Sequence, residues 1–398
     1  MDARNFLRRN IFLTAVLHGF NHNLLIFFKP LYPELAAYFN LYSVYELTTR
    51  LTLAYLGYGL SNLLAGIFAA RLNLKKLLFA GMCLMSLSTI GMAFVGPGDY
   101  PLAVVLIFFM GLGGGVYHPA SNTMITALAE ERTGRSLGAL SMGSALGFVL
   151  APLIGTYLGR DLIGFKMLFL GSGLLALLFS IVFILFYRER WPSRHLAKAK
   201  QTSAPFPKID YRRLWRVIAL LLLPAIFKEI INWSYYEITP FWVTAGFSYG
   251  IGIEWVQLLA YLPGLVFQPL TGFLCDHFGS RRMAVLTLFL CGVGISLLVI
   301  PNLAFILFGL ILFGIGMSSS TVANEAFMAS LVTSHERPLI YGIVLSLALG
   351  AGGFLGGISG LVVDCFGKQV ATGYILWFLI MACAIVLSLT SYLFIKKG

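Results

Sequence analysis

Near the start of the chain, His18, His22 and Lys29 stand in one apolar run, with Asn21 beside them. At i, i+4 and i+11 the three share one face of a helix. A later apolar run repeats the pattern, with Lys228, Asn232 and Tyr235 on one face and Glu229, Trp233 and Tyr236 on the adjacent one. His118, followed by Pro119, and Glu325 lie in two further runs. A carboxylate shielded from water and set beside an ammonium can take up and release protons near neutral pH. Imidazole does so with no help from its surroundings. Glu229 and Glu325 are therefore the leading candidates for carrying protons, with His22 and His118 next. Plainer roles stand beside these. Lys228 and Glu229 can form a charge-neutral structural pair, and Glu325, late in its run, can sit at a rim. His118 can bond the carbonyl that Pro119 frees, while Lys29 and Glu34 can reach to the outer surface. Tyr235 and Tyr236 are deep enough for a cavity, whereas Trp242 suits an interfacial belt.

What must position these residues follows from composition. Of 398 residues, 59% are hydrophobic and 11% are charged. Soluble domains carry about 25% charge, so the natural solvent of this chain is lipid. The formal charge of +12 is spread in short clusters between apolar runs rather than in a patch with interleaved aromatics, which excludes nucleic acid as a partner. Cys83, Cys275, Cys291, Cys365 and Cys383 are odd in number and lack ligand spacing, so neither a disulfide framework nor a metal site is expected. No cofactor is expected either. The sequence contains no H-E-x-x-H, no Gly-x-Ser-x-Gly turn and no phosphate-binding Walker sequence, which argues against an enzyme or an ATP-driven pump. The basic stretch Met1 to Asn10 leads into the first run with no small-residue cleavage site, so that run reads as a retained span.

A helix needs about 20 mostly apolar residues to cross a bilayer. Such runs number about twelve: 10–36, 47–70, 74–96, 101–128, 135–158, 163–187, 214–245, 253–275, 282–300, 303–331, 339–363 and 372–395. Arg4, Arg8, Arg9, Arg71, Lys75, Lys76, Arg132, Arg135, Arg281, Arg282, Arg337, Lys396 and Lys397 all fall on one side, and only Arg160 and Lys368 interrupt the other. That asymmetry places both termini in the cytoplasm. The one long polar stretch, 188–213, is basic and holds Pro192, Pro205 and Pro207. It reads as a cytoplasmic linker between an N-terminal six-helix bundle, 1–187, and a C-terminal one, 214–398.

The two halves repeat. Superposing Gly111-Leu-Gly113 on Gly314-Ile-Gly316 brings His118 onto Thr321 and Asn122 onto Glu325. The Gly-rich stretch from Gly138 to Gly155 resembles that from Gly342 to Gly360. After the eighth run, Gly272-Phe-Leu-Cys-Asp276-His-Phe-Gly279-Ser-Arg281-Arg282 resembles the loop motif of the major facilitator family, G-x-x-x-D-R/K-x-G-R/K-R/K. Here Asp276 can accept from a neighbouring helix N-terminus, and Gly279 permits a tight turn. After the second run Ala70 replaces the Asp and Asn73 the Gly.

Within that superfamily the chain resembles the fosmidomycin-resistance group of exporters. The resemblance rests on His18-Gly-Phe-Asn21-His22 with Tyr32-Pro33, on Gly113-Gly-Gly-Val-Tyr117-His118-Pro119-Ala-Ser121, on Phe227-Lys228 with Tyr235-Tyr236, and on the run from Tyr341 to Asp364. His22 stands where the group has an acidic residue. The resemblance implies an all-α membrane protein of two pseudo-symmetric six-helix halves, working as a proton-driven exporter of a small organic molecule by alternating access. Two halves in one chain make a complete pathway, so a monomer is expected, and termini without a recognised organelle signal lead to the expectation of a bacterial inner membrane. An importer or uncoupled facilitator, and a receptor or scaffold that does not transport, remain open alternatives.

Overall fold

The computed structural model describes residues 3–68, 72–129, 133–188, 211–332 and 336–394. The expected linker, 188–213, lies almost wholly outside the described residues, as do Arg71, Arg132, Lys396 and Lys397.

In hydrocarbon every backbone N–H and C=O must find its partner within the chain, which a helix achieves residue by residue. Among the described residues, eleven helices are long and apolar enough to cross a membrane. They are α1 (Asn5–Tyr38), α2 (Val44–Phe68), α3 (Leu74–Met92), α4 (Tyr100–Ile125), α5 (Gly138–Leu162) and α6 (Gly164–Phe186) in the first half. The second half begins with α7 (Tyr211–Thr244), 34 residues long, which carries the intramembrane charges Lys228, Glu229 and Glu237. After it come α8 (Ile253–Phe278), α9 (Ser280–Leu297), α10 (Leu303–Leu331), α11 (Leu339–Phe366) and α12 (Ala371–Tyr392). With α7 the twelve expected spans are complete.

Interruptions fall where the chemistry requires them. Helix α1 breaks at a tight turn, Lys29–Leu31, where Pro30 and Pro33 lack the N–H that a continuous ladder needs. Helix α4 breaks at Val116, because Pro119 cannot donate to the carbonyl of Gly115. Both α5 and α11 loosen into π-helical stretches, Ile154–Leu162 at the end of α5 and Ala348–Gly352 in the middle of α11.

The repeat seen in the sequence is a repeat of packing. At Gly111 an added Cβ would fall 1.8 Å from the Ala54 carbonyl oxygen, and at Gly314 it would fall 2.3 Å from that of Ala260. Each glycine therefore lets α4 or α10 press directly on the backbone of α2 or α8. The polar contacts repeat as well: Tyr58 donates to Asn21 at 3.0 Å in one half, and Tyr261 donates to Asn232 at 3.0 Å in the other. Outward faces carry large apolar side chains, such as Leu174, Leu178 and Leu185 on α6 and Ile380, Val386 and Leu387 on α12. A surface of that kind fits lipid. The halves meet along α2 against α11, α5 against α8, and α1 against α7.

Candidate functional site

Between the halves lies a cavity that, together with the solvent space at its mouth, amounts to about 1170 Å³. Helices α1, α4, α5, α7, α8, α10, α11 and α12 all contribute to its wall. Of the residues singled out by sequence, His18, His22, His118, Lys228, Glu229, Asn232 and Glu325 line it. The structure thus gathers candidates from four separate spans.

On α7 the charged residues pair with each other: the Lys228 ammonium donates to Glu229 Oε1 at 2.6 Å. Glu229 Oε2 is buried with no partner among the described residues, as are Trp233 Nε1 on α7 and Gln268 Oε1 on α8, both of which also line the cavity. Buried polar atoms without partners are costly, and in a cavity they mark places where a ligand group is welcome. Glycine sets the local geometry here. The π-helical turn of α11 brings Gly352 so close that an added Cβ would fall 2.8 Å from Glu229 Cβ.

On the other wall, α1 and α5 touch through small residues. An added Cβ at Gly143 would fall 2.0 Å from the Ala15 carbonyl oxygen, and one at Gly147 would fall 2.3 Å from that of Gly19. This close approach sets His18 Nδ1 2.9 Å from the Leu140 carbonyl, a hydrogen bond that orients the ring. His22 Nε2 lies 3.1 Å from His18 Nε2, and His118 completes a compact three-ring cluster.

Three predicted site residues lie outside the cavity wall. Asn21 is wholly buried between helices, donating to the Gly114 carbonyl at 2.9 Å and accepting from Tyr58. Tyr235 turns toward α8 and donates to the Val256 carbonyl at 2.8 Å. Tyr236 stacks on Tyr261, ring centroids 4.6 Å apart, behind the wall. The cavity face of α7 therefore runs through Lys228, Glu229, Asn232 and Trp233, rotated from the face on which Tyr235 was expected.

The end of the cavity away from the termini is blocked by contacts the sequence reading did not contain. Lys29 is buried and forms a salt bridge with Glu237 of α7, inside a cage of Tyr32, Tyr55 and Trp233 whose ring centroids lie 5.1–5.7 Å from its nitrogen. It does not reach the outer surface, because an interior carboxylate is closer than water. Glu237 was missed, although a carboxylate two turns beyond Glu229 in the same span was the available signal. Farther out, Asp364 at the end of α11 accepts from Ser43 Oγ at 2.7 Å and from the amides of Val44 and Tyr45 at 3.2 and 2.9 Å. It caps the N-terminus of α2 across the two halves. Glu34 is held at the rim by Arg160, 2.5 Å away. Trp242, expected in an interfacial belt, is buried against Phe378 of α12 instead.

At the other end, Gly279 adopts φ +87° between α8 and α9, a conformation open to glycine at little cost. Arg281 donates to the Tyr392 carbonyl at 2.6 Å, which ties this turn to α12. Gly272 is buried in α8, and Asp276 and Arg282 belong to the same turn region. In the first half Asn73, standing in the place of the motif glycine, caps α3 by accepting from the Lys76 amide at 2.8 Å.

The description of one family covers nearly the whole chain: residues 11–253 and 230–397 match the Major Facilitator Superfamily. The chain belongs to that superfamily. It is a multi-pass membrane protein of a transporter family and not an enzyme. Among curated relatives, the multi-drug resistance efflux pump PmrA of Streptococcus pneumoniae is 26% identical over 56% of this chain. The match spans only 55%, about half, of that relative's length. The MFS-type transporter YttB of Bacillus subtilis is 24% identical over 81% of this chain and 80% of its own. Solved structures share the facilitator fold. A bacterial homologue of the human lysosomal transporter Spinster, inward-facing and occupied, superposes with TM-score 0.72 at 15% identity, over 96% of this chain and 95% of that one. The nucleoside transporter NupG, as a point mutant, gives TM-score 0.70 at 14% identity, over 96% and 99%.

Proposed function

We propose that this superfamily member is a proton-coupled exporter of a small organic molecule, working by alternating access in a bacterial inner membrane with both termini cytoplasmic. One observation carries the reading. A cavity between the halves holds the Lys228–Glu229 pair and Glu325, while the Lys29–Glu237 bridge blocks the end away from the termini. Glu237 follows Glu229 by eight residues, roughly 12 Å along α7, so barrier and binding region are distinct layers. In this reading the bundles 1–187 and 214–398 rock about the cavity, joined by the basic linker 188–213. The turn with Gly272, Asp276, Gly279, Arg281 and Arg282 braces the closed form of the opposite end. The free oxygen of Glu229 and the carboxylate of Glu325 exchange protons with the cavity water. Substrate displaces that water and meets Asn232, Trp233 and the histidine wall. The mixture of one ammonium, two carboxylates and several aromatic rings suits an amphipathic or zwitterionic molecule. Similarity to an efflux pump and the resemblance to the fosmidomycin-resistance group both favour export.

Sealed liposomes containing the purified chain, screened against small organic molecules with an internal pH dye, test the proposal. A substrate-dependent pH change that Glu229→Gln removes in folded protein supports proton coupling. Substrate movement without proton movement replaces the coupled exporter by an uncoupled facilitator. Accumulation of substrate down a proton gradient reverses the direction, and binding with no movement points to a receptor.

A further inference from the structure

We propose that His18, His22 and His118 form a binding site for a divalent transition-metal ion of the zinc class, opening onto the central cavity. The expectation of no metal rested on cysteine spacing and linear motifs, and neither can register a cluster built from α1 and α4. The three rings stand at the corners of a near-equilateral triangle, with centroids 4.9, 5.2 and 5.5 Å apart. One nitrogen from each lies within 4.8 Å of the others. His18 Nε2 and His22 Nε2 are separated by 3.1 Å. Two imidazole nitrogens bound tetrahedrally to one zinc ion at about 2.0–2.1 Å stand roughly 3.3 Å apart, close to this separation, and an ion there would replace the proton that His22 and His18 share.

The surroundings favour ligation too. A carbonyl oxygen only accepts, so His18 Nδ1 donates its proton to Leu140 and leaves the Nε2 lone pair facing the cluster. A backbone carbonyl that fixes the tautomer in this way is the usual outer support of a ligating histidine. His22 is 6% exposed, and among the described residues its ring has no backbone partner: one nitrogen faces His18 and the other is buried without a partner. All three residues also line the cavity, so a fourth position is open to water or to a ligand, as in zinc sites that react rather than merely hold structure. Imidazole donors select zinc, nickel, copper and cobalt over magnesium and calcium. Lys228 on the facing wall is paired with Glu229, and Glu325 lines the same cavity. The site does not depend on the direction or coupling proposed above.

The full chain, freed of any polyhistidine tag, is titrated in detergent with Co²⁺ and then Zn²⁺. The expected result is one Co²⁺ per chain with a tetrahedral visible absorption band, displaced by Zn²⁺ and unaffected by Mg²⁺. X-ray absorption of the zinc form is expected to show imidazole nitrogens at about 2.0 Å. His22→Gln and His118→Asn should each weaken binding at least about tenfold, whereas His277→Gln should leave it unchanged. Absence of stoichiometric binding overturns the proposal. So does binding that survives both cluster substitutions, or an absorption spectrum showing sulfur or purely oxygen ligands on the wild-type chain, a reading that needs no variant to fold.

Discussion

Lys29 and Glu237 stand 208 positions apart in sequence and form a salt bridge in which neither side chain is more than 2% exposed. The pair joins α1 to α7, the first helices of the two halves. Each charge alone would be expensive at membrane depth, about 2.5–3.5 kcal/mol for a basic or acidic residue on insertion scales. Together, with Tyr55 donating to the same carboxylate at 3.4 Å and three rings around the ammonium, they hold the far side of the cavity shut.

Removing one partner leaves a buried charge with no counterpart, at a cost of about 3–5 kcal/mol. Lys29→Met and Glu237→Leu are each expected to lower the thermal unfolding midpoint in detergent markedly. The double variant is expected to recover most of the loss, since a well-packed apolar pair is often no worse than a buried ion pair. A double-mutant cycle on thermal stability reads this directly, and additive losses would mean that the two residues do not act as a pair.

Glu229→Gln keeps the shape of the side chain and removes its titration. Exchange of labelled substrate across the membrane is expected to persist, while substrate-driven pH change is lost; Glu325→Gln provides the parallel test for the second carboxylate. Unaltered proton movement in both variants would confine the Lys228–Glu229 pair to a structural role.

Asp364→Ala removes the acceptor that caps α2 from the opposite half. Loss of a helix cap costs about 0.5–2 kcal/mol, and here the cap bridges α11 of one half and α2 of the other. The variant is therefore expected to shift the population toward opening on that side. Faster labelling of a cysteine introduced at Tyr32, in a chain whose five native cysteines are replaced by serine, reports the shift, and unchanged labelling counts against a gating role.

Gly143→Val places carbon where a Cβ would already lie 2.0 Å from the Ala15 carbonyl oxygen. Overpacking of this kind costs about 1–3 kcal/mol or more. It is also expected to separate α1 from α5 and so release the His18–Leu140 hydrogen bond. Measured stability should fall, and metal binding by the histidine cluster should fall with it. Gly98→Ala, at a position with open space for a Cβ, serves as the neutral comparison.

The sequence by itself determined the solvent, the number of spans and the internal repeat, because each depends on apolar length summed along a window or on motifs contiguous in the chain. It also marked the spans that carry the cavity charges, since an ionisable residue in an apolar run stands out wherever its partner lies. Only the tertiary structure decided which residues meet. Whether Lys29 reaches water or Glu237, and whether Trp242 meets lipid or Phe378, depends on the depth and neighbours of each helix. Whether Tyr235 or Trp233 faces the cavity depends on the rotation of α7 about its own axis. Glycine contacts such as Gly143 on Ala15 and Gly352 on Glu229 set those rotations, and they are made between segments remote in sequence. Hydrophobic periodicity carries the face of a helix that avoids water, but in a membrane lipid and protein interior are equally apolar, so that signal cannot orient α1 or α7 toward its partners.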